Sequence, residues 1–97
     1  MAKLIVTTGP LAPREIEIGK DVFSMGRMPE NDIELRDSLV SRKHSELIRR
    51  ANRFTLYDLG SSNGTYVNKK RVDVKVLDDG DEVSVGETTF TFKDENS

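Results

Sequence analysis

The sequence contains no cysteine and only one histidine. Without cysteine the chain forms no disulfide, has no thiolate nucleophile and holds neither an iron–sulfur cluster nor a zinc ion through cysteine. One histidine cannot complete an ordinary structural zinc site. No apolar run approaches the ~18 residues of a membrane-spanning helix, and the first residues lack the long apolar stretch of a signal peptide. These absences predict a soluble, cytoplasmic (intracellular) domain.

The length of 97 residues fits one domain and leaves little room for a second. A chain of this size buries roughly two-thirds of the surface that it exposes when unfolded, which is enough for one modest core. We predict a single domain over residues 1–93 and a frayed acidic tail over residues 94–97. The sequence leaves open whether the chain is free-standing or a module of a longer protein.

The formal net charge is −2, but the charges are separated along the chain. Residues 1–40 contain five bases and seven acids, residues 41–72 contain eight bases and two acids, and residues 73–97 contain two bases and eight acids. A basic centre between acidic ends predicts one patch that attracts an anionic ligand.

β-Branched residues are abundant, with nine Val, five Ile and seven Thr against three Ala. Such residues favour strands over helices, and apolar and polar residues alternate along several segments. Two-residue hairpin turns are predicted at residues 51–52 and 86–87. The predicted strands cover residues 3–8, 14–18, 22–25, 33–35, 44–50, 53–58, 65–67, 72–76, 82–85 and 88–92.

Many short strands separated by turn residues predict an all-β fold, a two-sheet β-sandwich of mainly antiparallel strands. The two longest turn-rich stretches, residues 26–43 and 60–71, contain most of the reactive polar groups. Loops at one end of a rigid sandwich are a common place for ligand binding. We therefore expect the binding loops at one end of the molecule.

Nucleophilic catalysis is one chemistry that the residue types allow. Ser41 and His44 are three positions apart, and Asp37 or Asp58 could complete a Ser-His-Asp set. The chain lacks the strand–turn–helix elbow that exposes such a serine, and it is too short to enclose a substrate with an oxyanion site. We therefore predict that the protein is not an enzyme.

Metal and nucleotide sites are disfavoured on similar grounds. The acidic stretch 78–82 lacks the alternating ligand positions of a calcium loop. Residues 60–64 are rich in glycine and serine but lack the Lys-Ser/Thr pair that grips a nucleotide and magnesium. We predict no metal and no cofactor.

Four polar loop residues have the chemistry of a phosphate site. Arg27 follows a predicted strand, and its planar guanidinium suits phosphate oxygens. Ser41 supplies a hydroxyl donor, and we expect its backbone N–H to point toward the same ligand. Ser62 lies between two glycines that permit close backbone approach, and Asn63 carries the donor and acceptor needed to bind a peptide main chain. Together they predict a pocket for one phosphate on a peptide.

The order of these residues along the chain resembles that of a known family. The motifs are Gly26-Arg27, Ser41-x-x-His44 and Asn63-Gly64, within the matching stretches 23–35, 40–44 and 58–68. Over most of its length the sequence is similar to the forkhead-associated (FHA) domain, a β-sandwich that binds phosphothreonine peptides.

The resemblance implies a role for each residue. Arg27, Ser41 and Ser62 would bind the phosphate, and Asn63 would bind the peptide backbone near the phosphothreonine. Arg42 and Leu39 would contact residues that flank the phosphothreonine. The residues that would shape the loops are Gly26, His44, Gly64 and Asn68.

The predicted function is that of an adaptor that recognises a Thr-phosphorylated partner protein in kinase-dependent signalling. A phospho-independent interaction scaffold on the same fold is the alternative, because a fold alone does not determine function. Nucleic-acid binding through the basic centre is disfavoured, because stacking aromatic residues are not interleaved with the bases and the net charge is negative. We expect a monomer with neither a nucleic-acid nor a membrane partner.

Overall fold

Short segments of alternating apolar and polar residues form eleven strands in the computed structural model, which describes residues 2–94. Those residues contain no helix. The strands are β1 (Ala2–Thr8), β2 (Arg14–Glu17), β3 (Val22–Gly26), β4 (Ile33–Glu34), β5 (Ser45–Arg50), β6 (Arg53–Asp58), β7 (Thr65–Val67), β8 (Lys70–Val72), β9 (Val74–Val76), β10 (Glu82–Val85) and β11 (Thr88–Asp94).

The strands form two sheets that pack as a β-sandwich. The first sheet has six strands in the order β2-β1-β11-β10-β7-β8, and the second has five in the order β4-β3-β5-β6-β9. Only β3 and β4 run parallel among the pairs of residues 2–94. Ala51 and Asn52, with φ of 50° and 64°, form the turn between β5 and β6, as a type I′ hairpin requires. The predicted two-sheet, mainly antiparallel sandwich is confirmed.

The inner faces of the two sheets supply the hydrophobic core. Phe90 and Phe92 of β11 are fully buried, and Phe54 and Leu56 of β6 face them from the second sheet. The rings of Phe54 and Phe92 meet edge to face with their centroids 5.4 Å apart. This contact joins the sheets and holds the strands from which the loops project.

One predicted strand is wrong. Residues 72–76 do not form a single strand, because β8 pairs with β7 in the first sheet and β9 pairs with β6 in the second. The chain changes sheets at Asp73, whose carbonyl accepts a hydrogen bond from the Asp58 N–H at 2.9 Å. Valine continues to alternate with polar residues through the crossing, so the period of the sequence gives no sign of it.

Three loops project from one end of the sandwich. β3 and β6 end there and β5 begins there, because Met25 and Asp58 both pair with Ser45. We call the loops 27–32, 35–44 and 59–64 the pocket loops. The turn between β10 and β11 lies at the same end, since Val85 pairs with Thr65 at the start of β7. The turn between β5 and β6 lies at the opposite end.

The last strand extends slightly beyond the predicted domain boundary. Asp94, which the sequence assigned to the tail, is the final residue of β11 and pairs with Ala2. Residues 95–97 of the predicted tail lie outside the described residues. Helices long and apolar enough to cross a membrane are absent from residues 2–94.

Candidate functional site

A pocket of about 400 Å³ lies where the three pocket loops meet. Three of its lining side chains are cationic and none is acidic, so the pocket attracts anions. The four residues predicted to bind phosphate or peptide backbone line it together with the two predicted flanking residues. The lining residues are Arg27, Ser38, Leu39, Val40, Ser41, Arg42, Lys43, Ser62 and Asn63.

Arg27 is exposed, but its guanidinium is held in place. Its backbone N–H donates to the carbonyl of Ser41 at 3.0 Å, and its Nε donates to the carbonyl of Val40 at 3.1 Å. The terminal guanidinium nitrogens make no hydrogen bond within residues 2–94 and remain available for a ligand. An arginine held in this way presents a planar fork to phosphate oxygens.

Ser41 and Ser62 meet from different loops. The Ser62 backbone N–H donates to Ser41 Oγ at 3.2 Å, which leaves the Ser41 hydroxyl hydrogen free to donate to a ligand. The expectation for the Ser41 backbone N–H is wrong, because that group donates to Nδ1 of His44 at 3.1 Å. Ser41 therefore offers a ligand its hydroxyl and not its main chain.

Asn63 bridges two of the pocket loops. Its Nδ2 donates to the carbonyl of Leu39 at 2.9 Å, while its Oδ1 accepts no hydrogen bond within residues 2–94. One amide hydrogen and the Oδ1 acceptor therefore remain for a peptide main chain. The Leu39 side chain is 45 % exposed at the same pocket and can make an apolar contact with a flanking peptide residue.

His44 is fully buried and has a partner on each ring nitrogen. Nδ1 accepts the hydrogen bond from the Ser41 N–H, and Nε2 donates to the carbonyl of Gly64 at 2.8 Å. These two bonds require a neutral ring with its proton on Nε2. His44 thus connects the loop that carries Ser41 to the loop that carries Asn63.

Gly26 allows two pocket loops to touch. A Cβ at Gly26 would collide with the carbonyl oxygen of Arg42 and would lie 2.7 Å from Nδ2 of Asn31. Asn31 is buried, and its Nδ2 donates to the carbonyls of Met28 and Arg42, both at 2.8 Å. The sequence assigned Asn31 no role, because its partner in the neighbouring loop leaves no local signal.

The carboxylate of Asp58 organises the loop 59–64. It accepts hydrogen bonds from the N–H groups of Gly60 and Ser61 at 3.1 and 3.0 Å. It also accepts from the hydroxyls of Ser61 and Thr65 at 2.5 and 2.7 Å. Burial raises the pKa of Asp58, but these hydrogen bonds outweigh burial and hold the pKa below its ordinary value of 3.8. This role of Asp58 was not predicted, although an Asp two residues before a turn glycine is typical of an Asx turn.

The loop 59–64 closes on Gly64, whose φ of 90° favours glycine. Its N–H donates a hydrogen bond to Oγ of Ser61 at 3.0 Å. Its carbonyl is the acceptor for His44. Gly64 therefore fixes the end of this loop in the position that places Asn63 at the pocket.

Asp37 secures the segment that carries Leu39. Its Oδ1 accepts from the Leu39 N–H at 2.9 Å, and its Oδ2 accepts from the Glu87 N–H at 2.7 Å. The hydrogen bonds from Glu87 and Leu39 keep the pKa of Asp37 below its ordinary value of 3.8. The sequence could not indicate the contact with Glu87, because it joins residues 50 positions apart.

Asn68 lies away from the pocket, at the opposite end of β7. Its side-chain amide donates to Oδ1 of Asp81 and accepts from the Glu82 N–H, both at 3.0 Å. With φ of 51°, it forms the turn between β7 and β8 together with Lys69. It secures that turn and takes no part in the pocket loops.

Ser41, His44 and Asp58 do not form a nucleophilic triad. Ser41 reaches His44 through its backbone N–H, and the Asp58 carboxylate is engaged by its own loop and Thr65. Residues 2–94 also contain no group of three or more His, Cys, Asp or Glu that could hold a metal ion. The arrangement is that of a ligand-binding pocket.

The basic centre of the sequence does not form the single patch that was predicted. Arg42 and Lys43 line the pocket, whereas the arginines of residues 49–53 surround the β5–β6 turn at the opposite end. The two groups of bases are separated because β5, which is six residues long, runs from the pocket end of the sandwich to the opposite end. Arg27, from the acidic N-terminal part, instead joins Arg42 and Lys43 at the pocket.

Comparisons with known proteins agree with this fold and pocket. A family model described as the FHA domain matches residues 23–86. The glycogen accumulation regulator GarA of Mycobacterium tuberculosis is 44 % identical over 91 residues, which are 94 % of this chain and 56 % of GarA. The chain therefore spans little more than half the length of this curated relative.

Two solved structures have the same architecture. A structure from a study of phosphothreonine-dependent FHA domain interactions has a TM-score of 0.88 and 28 % identity, covering 97 % of this chain and 96 % of that one. EmbR of Mycobacterium tuberculosis, in complex with a low-affinity phosphopeptide, has a TM-score of 0.89 and 30 % identity over 95 % of this chain and 24 % of EmbR.

Proposed function

The chain belongs to the FHA domain family, and from this premise we propose that it is an adaptor module that binds a phosphothreonine-containing segment of a partner protein in kinase-dependent signalling. The observation that carries the proposal is the pocket itself. Three cationic side chains and three serine side chains line it without a single carboxylate. This donor set matches a dianionic phosphate.

Each pocket residue has a separate task in the proposed complex. Arg27 binds phosphate oxygens through its free terminal nitrogens, and Ser41 and Ser62 donate their hydroxyls to the same phosphate. Asn63 binds the main chain of the peptide beside the phosphothreonine. Arg42 and Leu39 contact residues that flank it.

The energetics permit reversible binding. A phosphate carries a charge of about −1.5 to −2 at neutral pH, and each hydrogen bond to a charged group contributes about 1.5–3 kcal/mol. Micromolar affinity requires only about 8 kcal/mol in total. The few donors of this pocket can supply that, and the complex can still dissociate when the phosphate is removed.

The proposal is confined to the binding step, because the chain spans little more than half of GarA. GarA is a regulator by name, and regulation through a bound partner requires no catalysis by the FHA domain itself. We accordingly propose a non-catalytic, monomeric domain that acts in the cytoplasm, where protein kinases phosphorylate their substrates.

Calorimetry with three matched peptides tests the function. The peptides contain phosphothreonine, phosphoserine or unmodified threonine in one otherwise identical sequence, drawn from a phosphopeptide selection on this protein. We expect micromolar binding of the phosphothreonine peptide, weaker binding of the phosphoserine peptide and none of the unmodified peptide. Equal affinity for all three would refute the proposal.

A phospho-independent scaffold is a second candidate, and one surface favours it. Val22, Val74 and Val76 are 51 %, 56 % and 40 % exposed. Val22, Ile48, Thr55 and Val76 follow one another across the second sheet by strand register. A partner that bound here would bind equally before and after phosphatase treatment, and its affinity would not depend on Arg27.

A further inference from the structure

An arginine outside the pocket lies close to the residue that follows Asn63. Arg71 in β8 pairs with Tyr66 in β7, and both face outward because their neighbours Thr65 and Val67 are buried. A Cβ on Gly64 would lie 2.8 Å from Nε of Arg71, so the arginine side chain covers the α-carbon of Gly64. The guanidinium of Arg71 therefore lies beside Gly64, the residue that follows the pocket-lining Asn63.

The tyrosine opposite Arg71 connects this position to the pocket. The Tyr66 hydroxyl donates to the carbonyl of Asn63 at 3.2 Å. The proposed peptide-binding asparagine, the tyrosine and the arginine thus form a continuous surface from the pocket onto the outer face of the first sheet.

Arg71 is exposed and has no ion-pair partner among residues 2–94. By contrast, Arg36 and Arg49 each pair with a carboxylate of the chain. A guanidinium without an internal carboxylate can receive one from a ligand in a planar, two-point contact.

We propose that Arg71 is a specificity-determining residue that selects phosphothreonine segments carrying Asp or Glu on one flank of the phosphothreonine. This inference rests on the proposed function. An extended peptide advances about 3.3 Å per residue, so a peptide bound to Asn63 and continuing past Gly64 brings a residue near the phosphothreonine over Arg71. An acidic side chain there meets a cation that has no carboxylate partner among the described residues 2–94.

The pocket also has cations on its other side. Arg42 and Lys43 line it from the loop 35–44, and they would favour acidic residues on the opposite flank of the peptide. Removal of Arg71 distinguishes its contribution from that of Arg42 and Lys43, because it changes the preference only on the flank that crosses Gly64.

A peptide scan against charge variants tests the assignment. One phosphothreonine peptide with neutral flanks is compared by calorimetry, at low ionic strength, with peptides that place a single Glu at each of the four positions on either side. In the wild-type protein we expect Glu to raise affinity about two- to five-fold on the flank that crosses Gly64, the size of an exposed ion pair, separately from any gain near Arg42 and Lys43. Higher salt should reduce this gain.

Three variants identify the residue responsible. In Arg71→Ala, the peptides with Glu on that flank bind no better than the neutral peptide. In Arg71→Glu, Lys replaces Glu as the favoured residue at the same positions, a reversal that loop distortion alone would not produce. In Lys69→Ala, which removes a positive charge from the far end of the same hairpin, the gain from Glu is retained.

Equal gains from Glu in the wild type and in Arg71→Ala would overturn the assignment while leaving phosphothreonine binding intact. The absence of any gain in the wild type would overturn it in the same way. If no phosphothreonine peptide bound at all, the proposed function itself would be wrong, and this inference with it.

Discussion

The orientation of the Arg27 side chain is set by a neighbouring pocket loop. Its Nε is engaged by the carbonyl of Val40, and its terminal nitrogens are left without partners among the described residues. An arginine that was free in solution would lose side-chain entropy when it bound phosphate. Because Arg27 is already held, much of that loss occurs on folding and not on binding.

Replacing Arg27 by alanine should abolish phosphopeptide binding and leave the fold intact. The variant loses the charge-assisted hydrogen bonds of the terminal nitrogens, which together are worth about 3 kcal/mol or more, so we expect affinity to fall by at least about 100-fold. Calorimetry with the phosphothreonine peptide measures the change, and thermal unfolding monitors the fold.

Arg53→Ala is the matched control, because Arg53 is an exposed arginine at the β5–β6 hairpin, at the end opposite the pocket. It should bind the phosphothreonine peptide as the wild type does. Near-wild-type affinity in Arg27→Ala would show that the phosphate binds elsewhere.

Unlike Arg27, His44 has no hydrogen-bonding group left for a ligand. It is fully buried, and both ring nitrogens are occupied by backbone groups of two different loops. A lone histidine near a serine could suggest catalysis, but its partners make it a structural connection between Ser41 and Gly64.

At the scale of elements, the pocket depends on loops that touch without forming a sheet. The chain after β3 passes so close to the loop 35–44 that Gly26 has no room for a side chain, and Asn31 fills the space between the loops. The φ of Gly26 is not positive, so the requirement for glycine is one of space and not of backbone conformation.

Gly26→Ala should therefore destabilise the protein and weaken phosphopeptide binding together. A methyl group would push against the Arg42 carbonyl and displace the loop that carries Ser41. We expect the free energy of unfolding to fall by about 1–3 kcal/mol, as for other overpacked sites, when measured by urea denaturation.

Gly19→Ala provides the control, since nothing lies within 4 Å of a Cβ at Gly19 and its φ is not positive. Its stability should be unchanged or raised by about 0.4–1 kcal/mol, through a less flexible unfolded chain. Equal effects of the two substitutions would contradict the close-approach account of Gly26.

The strands themselves were predictable to different degrees. Hairpins with two-residue turns, such as β5–β6 and β10–β11, follow from alternation and local turn residues. The change of sheet at Asp73 does not, because β8 and β9 have similar local patterns and differ only in the strand that each one pairs with. Strand pairing between distant segments is a tertiary property.

At the scale of the whole molecule, charge is distributed by topology. The eight bases of residues 41–72 would form one strongly positive segment in an extended chain. The fold divides them between the two ends of the sandwich and brings Arg27 to the pocket end. The local field at the pocket is therefore set by residues from both the acidic and the basic parts of the sequence.

Acid should destabilise the protein in part through Asp58. Its pKa is lower in the folded protein than its ordinary value of 3.8, so the ionised carboxylate stabilises the fold above that value. This contribution is lost as the pH falls through the lowered pKa of the folded state. Asp58→Asn should cost about 1–3 kcal/mol at neutral pH because buried donors lose their acceptors.

The difference between Asp58→Asn and the wild type should shrink as the pH drops below about 3.8, because the wild type then loses the same contribution. Urea denaturation over a pH series measures it. Asp78→Asn is the control, as the Asp78 carboxylate accepts no hydrogen bond within residues 2–94. A difference for Asp58→Asn that stayed constant with pH would show that its carboxylate has no special role.

The sequence by itself determined the fold class, the hairpins and the residue types of the pocket, because alternation, turn chemistry and ordered motifs are properties of neighbouring residues. Only the tertiary structure decided how those residues act. In the folded protein the Ser41 N–H donates to His44, and Asn31 and Asp37 connect separate loops. Asn68 lies away from the pocket, and the bases of residues 41–72 lie at both ends of the sandwich. The physical reason is that hydrogen-bond partners and charge neighbours are chosen by which strands and loops come together in space, and those segments are far apart along the chain.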